Sequence, residues 1–188
     1  MHLYLVLKRV QVSCYGDLHL DISLDEDVVD IKNIKHNNLI DYMFSYLDKN
    51  VNLKNEFDVE LIEDATKNLF ADEIDLTSYI NNYVYGNYSY TIKDGVVKRE
   101  KTTCSSDVEY VSQLYGHSFN DKMLSVDINI GYLKDGMLYN LSDEKLGKYD
   151  GNIKLLGDLF RTSSYYRFNY VLDDDNYKLK SVEWNIRY

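Results

Sequence analysis

The spacing of the apolar residues changes once along this 188-residue chain, close to Gly86. Before Gly86, apolar side chains recur every three to four positions, which places them on one face of an α-helix. After Gly86 they alternate with polar side chains, as in a strand with one buried face. Helices followed by strands are typical of the α+β class. We therefore predict a helical part over residues 1–85 and a curved antiparallel β-meander over residues 86–188, packed together in one compact domain.

Four helices are predicted before Gly86. Ser23 and Glu26 have the spacing of a capping box, which predicts a short first helix that runs to about Ile34. The second and third helices are indicated by apolar stripes at helical spacing, and the fourth extends to about Tyr83. The cap candidates are Asn37 or Asn38 for the second helix, Asp58 for the third, and Asp75 or Thr77 for the fourth. The two stripes contain Leu39, Ile40, Met43, Phe44 and Leu47, and Val59, Leu61, Ile62, Ala65, Leu69 and Phe70.

Three hairpins are predicted after Gly86. Two of them turn at an Asp-Gly pair, residues 94–95 and 135–136, and the third turns over residues 173–176. A short helix is expected over residues 153–160, between the second and the third hairpin. In the third hairpin one face holds four large apolar side chains, and the returning strand adds more if its register shifts locally. These residues are Tyr166, Phe168, Tyr170 and Leu172, with Leu179, Val182 and Trp184 on the returning strand.

The charge of the chain is concentrated in its first part. The whole chain has 31 acidic and 21 basic residues, a net charge of −10. Residues 1–80 contain 16 acidic and 7 basic side chains, so nearly all of the excess lies there. A negative chain lacks the cationic face that binds nucleic acid or anionic lipid non-specifically. We therefore predict no direct nucleic-acid binding.

No arrangement of residues in the sequence points to catalysis or to a metal site. His117 would be a general base if Cys104 or Ser118 were its nucleophile, but the spacing is equally that of an ordinary surface histidine. Cys14 and Cys104 form either one bridge or two buried thiols, and no cysteine spacing indicates zinc. Nucleotide-binding and hydrolase motifs are absent from the sequence. We predict no catalytic residue, metal or cofactor.

The N-terminal residues do not have the pattern of a membrane span. The apolar run from Leu3 to Leu7 ends at Lys8 and Arg9, far short of the roughly 20 residues that cross a bilayer. Its alternation predicts a strand instead. We therefore expect no membrane insertion by this chain.

Four strings in the second half carry a resemblance to a known group of proteins. They are residues 128–141 (INIGYLKDGMLYNL), 145–150 (KLGKYD), 165–172 (YYRFNYVL) and 175–184 (DNYKLKSVEW). They resemble the C-terminal half of uncharacterised exported domains of low-GC Gram-positive bacteria, which usually follow a single membrane anchor. Such domains resemble NTF2-like or cystatin-like folds, although this sequence has no visible anchor. The resemblance implies an extracytoplasmic location and no particular activity.

An NTF2-like sheet curls around a helix and often encloses a ligand pocket. The resemblance then implies a pocket lined by Tyr166, Phe168, Tyr170 and Trp184, with His117 as its polar group. The alternative is that the aromatic residues form the core of the protein.

Three functions are compatible with the sequence. The first is a non-catalytic exported module for interaction or sensing, with a protein as its partner. The second is an acidic cytoplasmic inhibitor that mimics nucleic-acid phosphates, as phage proteins do. The third is a small NTF2-like ligand carrier or enzyme. An edge strand of the meander would also allow two copies to form a homodimer, although the sequence does not identify which edge.

Overall fold

A computed structural model describes residues 28–102 and 109–186, and these residues form an α+β fold. The helices are α1 (His36–Asn50), α2 (Glu60–Leu69) and α3 (Ile153–Phe160). The first strands are β1 (Val28–Asp30), β2 (Glu56–Asp58), β3 (Tyr83–Tyr85), β4 (Tyr88–Lys93) and β5 (Val96–Lys101). The later strands are β6 (Glu109–Asn120), β7 (Met123–Lys134), β8 (Met137–Asn140), β9 (Lys145–Lys148), β10 (Tyr165–Asp173) and β11 (Asn176–Ile186). The predicted α+β class, with helices and antiparallel sheet, is confirmed.

The strands form two antiparallel sheets. The larger sheet has the order β1-β11-β10-β7-β8-β9, and β6 also pairs with β7. One edge of β7 is shared, because β10 pairs with residues 123–128 and β8 with residues 131–134. Strand β6 runs along the whole opposite edge of β7. The smaller sheet has the order β2-β5-β4-β3.

All three predicted hairpins are confirmed. β4 and β5 turn at Asp94-Gly95, and β7 and β8 turn at Asp135-Gly136, with φ positive at all four residues. Positive φ at both central residues matches the twist of the flanking strands, and an Asp-Gly pair adopts it at low cost. The third hairpin turns at residues 174 and 175, which also have positive φ.

A bulge in the third hairpin determines which residues of β11 are buried. Asn169 pairs with Ser181, but the next residue, Tyr170, pairs with Leu179. The extra residue in β11 allows Leu179 and Val182, three positions apart, to be buried together. The predicted local shift of register is therefore confirmed.

The main hydrophobic core lies between α1, α2 and the face of the larger sheet that contains Phe168, Leu179 and Val182. It contains the buried stripes of α1 and α2 and reaches the smaller sheet through Tyr85, Tyr90 and Val97. The predicted second and third helices are confirmed as α1 and α2, and the predicted helix over residues 153–160 is α3. Leu156 and Phe160 of α3 form a smaller cluster with Leu138 of β8.

The predicted first helix is wrong where the structure describes it. Residues 28–30 form β1, which pairs with β11, and residues 31–33 form a single 3₁₀ turn. Pairing with β11 buries Val29 and places Ile31 in the core, which a lone helix at this position would not achieve. Ser23 and Glu26 lie outside the described residues.

The predicted fourth helix and one helix cap also differ from the structure. The fourth helix is a 3₁₀ turn over residues 77–79, because Tyr83 begins a strand that pairs with β4. Asp75 accepts a hydrogen bond from the backbone N–H of Thr77, as a capping residue does. Asn37 and Asn38 lie inside the first turn of α1, whose N-cap is Lys35.

Strands from the first 85 residues pair with strands from the rest of the chain. β1 pairs with β11, β2 with β5, and β3 with β4. The main core likewise takes residues from both parts. In the part of the chain that is described, no helix combines the length and the apolar character needed to cross a membrane. Cys14 and Cys104 lie outside the described residues.

Candidate interaction surface

Three predicted pocket residues, Tyr166, Phe168 and Tyr170, lie on the face of the larger sheet that packs against α1 and α2. Tyr166 and Phe168 are buried members of the main core, and Tyr170 is half-buried against it. The hydroxyl oxygens of Tyr170 and Tyr42 are 3.3 Å apart, a contact that joins β10 to α1. Trp184 lies in β11, and its side chain is outside the described part. Tyr166, Phe168 and Tyr170 thus pack in or against the core, and their ligand-binding role stays a prediction.

His117 belongs to the same row of side chains but lies at its exposed end. The row crosses four strands, in which His117 pairs with Val126, Val126 with Phe168, and Phe168 with Val182. Val126, Phe168 and Val182 are buried, whereas His117 on β6 is exposed. The imidazole ring stands edge-on to Phe119, with ring centroids 6.1 Å apart. The core therefore ends at β7 along this row, and β6 projects beyond it.

Residues 113–120 of β6, which we call the β6 edge, have large apolar side chains in contact with solvent. Leu114 is 48% exposed, and Tyr115 and Phe119 are each 57% exposed. Among the described residues, the only strand that pairs with the β6 edge is β7. No Asp, Glu, Lys or Arg occurs from residue 110 to residue 120. The β6 edge therefore lacks Asp, Glu, Lys and Arg and carries three large exposed hydrophobic side chains.

A bulge shapes the middle of the β6 edge. Leu114 pairs with Ile128, but the next paired residue is Gly116, opposite Asp127. Tyr115 is the extra residue, and its ring stacks on Tyr165 with centroids 5.0 Å apart. The bulge thus turns one aromatic ring toward the opposite face of the sheet from Leu114 and Phe119.

That opposite face has a connected polar network across β7, β10 and β11. Arg167 donates two hydrogen bonds to the carboxylate of Asp127, at 2.7 and 3.1 Å. Asn169 donates to Glu183 at 2.6 Å and accepts from Ser125, also at 2.6 Å. Because Asp127 and Asn169 are buried, these bonds satisfy groups that would otherwise destabilise the sheet. The polar residues of this face therefore have a structural role, because they bond one another across the three strands.

One carboxyl group has a strongly shifted pKa, at the contact between α1 and the smaller sheet. Burial raises the pKa of Asp41 to about 7, and the hydrogen bond from the Tyr83 hydroxyl opposes this rise. That hydrogen bond to Oδ1 of Asp41 measures 2.7 Å. Asp41 was not predicted as a site residue, although it follows Ile40 directly at the border of the apolar stripe. Its carboxyl group can exchange a proton near neutral pH. It lies where α1 contacts Tyr83 of β3, so its role is in packing.

Exposed carboxylates cluster at the start of α2. They are Glu56, Asp58, Glu60, Glu63 and Asp64, all exposed. Lys67 is the basic residue in the last turn of the helix. In the described ranges, no group of three or more His, Cys, Asp or Glu residues is placed to hold a metal ion.

Comparison of the chain with protein-family models, with curated proteins and with solved structures found no match.

Proposed function

We propose that this chain is a non-catalytic interaction module, which binds a protein partner through the β6 edge and acts outside the cytoplasmic membrane. The observation that supports it best is the exposure of Leu114, Tyr115 and Phe119 within residues 110–120 of β6, which contain no Asp, Glu, Lys or Arg. The location rests on the resemblance of residues 128–184 to exported domains.

An edge strand of a monomeric protein is normally protected from pairing with other chains. Exposed edges offer unpaired backbone groups to other chains, and monomeric proteins usually protect them with charges, above all lysine. The β6 edge has no such charge and instead presents two aromatic rings and a leucine. Aromatic residues are enriched in protein interfaces, and burying each of these side chains would contribute roughly 1 kcal/mol or more. A strand or apolar surface of a partner would cover them.

The test is capture of partners by the full-length chain in the cell that makes it. The tagged wild type is compared with a Leu114→Lys/Phe119→Lys double variant and with Val96→Lys. Val96 is a matched control, since it is an apolar strand residue that is 43% exposed and belongs to β5 of the smaller sheet. We expect a protein that co-purifies with the wild type and with Val96→Lys but is lost from the double variant. Equal recovery from all three chains would contradict the proposal.

The location is tested separately, by fractionation of the same cells and the intact mass of the recovered chain. Recovery outside the cytoplasmic membrane supports an exported module. A cytoplasmic chain that starts at Met1 without modification contradicts the location and leaves the role of the β6 edge to the capture experiment.

The second candidate function is an acidic inhibitor that mimics nucleic-acid phosphates. The cluster of five exposed carboxylates at the start of α2 favours it. Binding of this kind depends on charge, so the partner would be a basic nucleic-acid enzyme that is released as the salt concentration rises. Pull-downs at low and high salt distinguish the two candidates, because apolar contact with the β6 edge persists at high salt.

A further inference from the structure

We infer that the partner of the β6 edge is a second copy of this chain, joined antiparallel so that the two larger sheets become continuous. The inference rests on the proposed function, since it names the partner of that same surface. It also identifies the sheet edge through which the chain would form a dimer.

The distribution of charge favours a second copy at this edge above other places on the molecule. Two chains of net charge −10 repel each other, and the repulsion is strongest where residues 1–80, with 16 acidic and 7 basic side chains, come together. Residues 110–120 contain no acidic or basic side chain apart from His117. The exposed carboxylates of β2 belong to the smaller sheet, so they are not part of an edge formed by β6. The β6 edge therefore permits self-association with little like-charge repulsion.

The order of residues along the strand makes the surface complementary to itself. A two-fold dimer places the same surface on both sides of the interface. Leu114 and Phe119 lie on the same face of β6, toward opposite ends of the exposed stretch, and both pair with core residues of β7. Antiparallel pairing therefore brings Leu114 of one copy toward Phe119 of its partner, twice per dimer. Leu114 and Phe119 thus each gain an apolar neighbour, which reduces their contact with water.

The experiment is sedimentation equilibrium on the full chain, from about 1 to about 200 µM, a range that suits weak dimers. We expect the mass to rise from 22.1 kDa toward twice that value as the concentration increases. Phe119→Lys places two added positive charges at the interface of each dimer. We expect it to raise the dissociation constant at least tenfold. Leu114→Lys is an independent second variant with the same expected effect. Val96→Lys should leave the dissociation constant within about twofold, since this residue lies in the smaller sheet and not in β6.

Circular dichroism and urea midpoints establish first that each variant is folded, which both lysine substitutions should allow because their side chains are solvent-exposed. A wild type that stays monomeric over the whole range overturns the inference. So does a dimer that both lysine variants leave unchanged, because its contact would lie elsewhere. A monomer that still captures a different protein through the β6 edge overturns the inference while leaving the proposed function intact. A dimer that depends on the β6 edge, with no other protein captured, supports the inference.

Discussion

Replacement of Asp41 by asparagine should change the pH dependence of stability in a defined direction. In the folded chain burial raises the pKa of Asp41 to about 7, against an ordinary value of 3.8. Between these two pH values the folded chain keeps a proton that the unfolded chain has released. The free energy of unfolding therefore falls as pH rises from about 4 to about 7 and becomes level above that range. Below about pH 4 the contribution of Asp41 is constant, because both states are protonated.

The size of this effect follows from the shift in pKa. The gap is about 3 pH units, and each unit corresponds to about 1.4 kcal/mol, which gives a ceiling of about 4 kcal/mol. Asp41 is not completely buried, so contact with water lowers the expected effect to roughly half of the ceiling. Asparagine has the same shape, stays neutral, and keeps an oxygen that can accept the hydrogen bond from Tyr83. We expect Asp41→Asn to stabilise the fold by about 2 kcal/mol above pH 7 and by nearly nothing below pH 4.

The assay is urea unfolding followed by far-UV circular dichroism, at a series of pH values from about 4 to about 8.5. Subtracting the wild-type curve from the variant curve removes the titration of all other carboxyl groups. Asp64→Asn, an exposed residue of α2, is the control for removing one negative charge from an acidic chain. Its effect should stay within about 0.5 kcal/mol at every pH. The reasoning would be refuted by a difference for Asp41→Asn that is flat with pH, or that equals the control at pH 8.

Three further substitutions test the packing of the sheets, each by urea unfolding. Gly131→Ala should destabilise by about 1–3 kcal/mol, because a Cβ atom would come within 3.0 Å of the Phe160 ring and closer still to a backbone carbonyl of β8; unchanged stability would contradict this packing. Asp127→Asn removes the charge that faces the half-buried Arg167, so we expect a loss of about 1–3 kcal/mol; a neutral effect would mean that the pair contributes nothing. Phe44→Ala empties a fully buried site and should cost about 3–5 kcal/mol; a loss below 1 kcal/mol would refute its place in the core.

Structural elements that are determined by neighbouring residues could be predicted from the sequence. The two Asp-Gly turns have positive φ at both central residues, a conformation that Asp and Gly favour in tight hairpin turns. The stripe of α1 was predicted correctly, since Leu39, Ile40, Met43, Phe44 and Leu47 are all buried. The bulge in β11 could also be predicted. Leu179 and Val182 are three positions apart, so they share a face only if the strand contains one extra residue between them. In each case a few neighbouring residues contain the whole explanation.

Elements that depend on distant partners could not be predicted. Residues 28–30 are a strand because β11 lies beside them, more than 150 positions later in the chain. Likewise, Tyr83 ends the predicted fourth helix because it pairs with Tyr90. The shifted pKa of Asp41 has a similar origin, since the burial that causes it requires α1 to pack against the smaller sheet. The predicted alternation of Phe168 was correct, but alternation alone does not tell whether a helix or a ligand covers that face.

The row from His117 to Val182 explains why one sheet face has both a core and an exposed surface. All four residues face the same side, so the register alone would make each of them a core position. Within the larger sheet, the buried cluster nevertheless takes its members from β1, β7, β10 and β11, and it also contains residues of α1 and α2. β6 follows the full length of β7 on the side away from β10, one strand beyond that cluster. Within the described part of the chain, Leu114 and Phe119 stay about half exposed at this position, and the contact proposed between two copies would cover them. That is why a lysine at either position should leave folding intact and remove association.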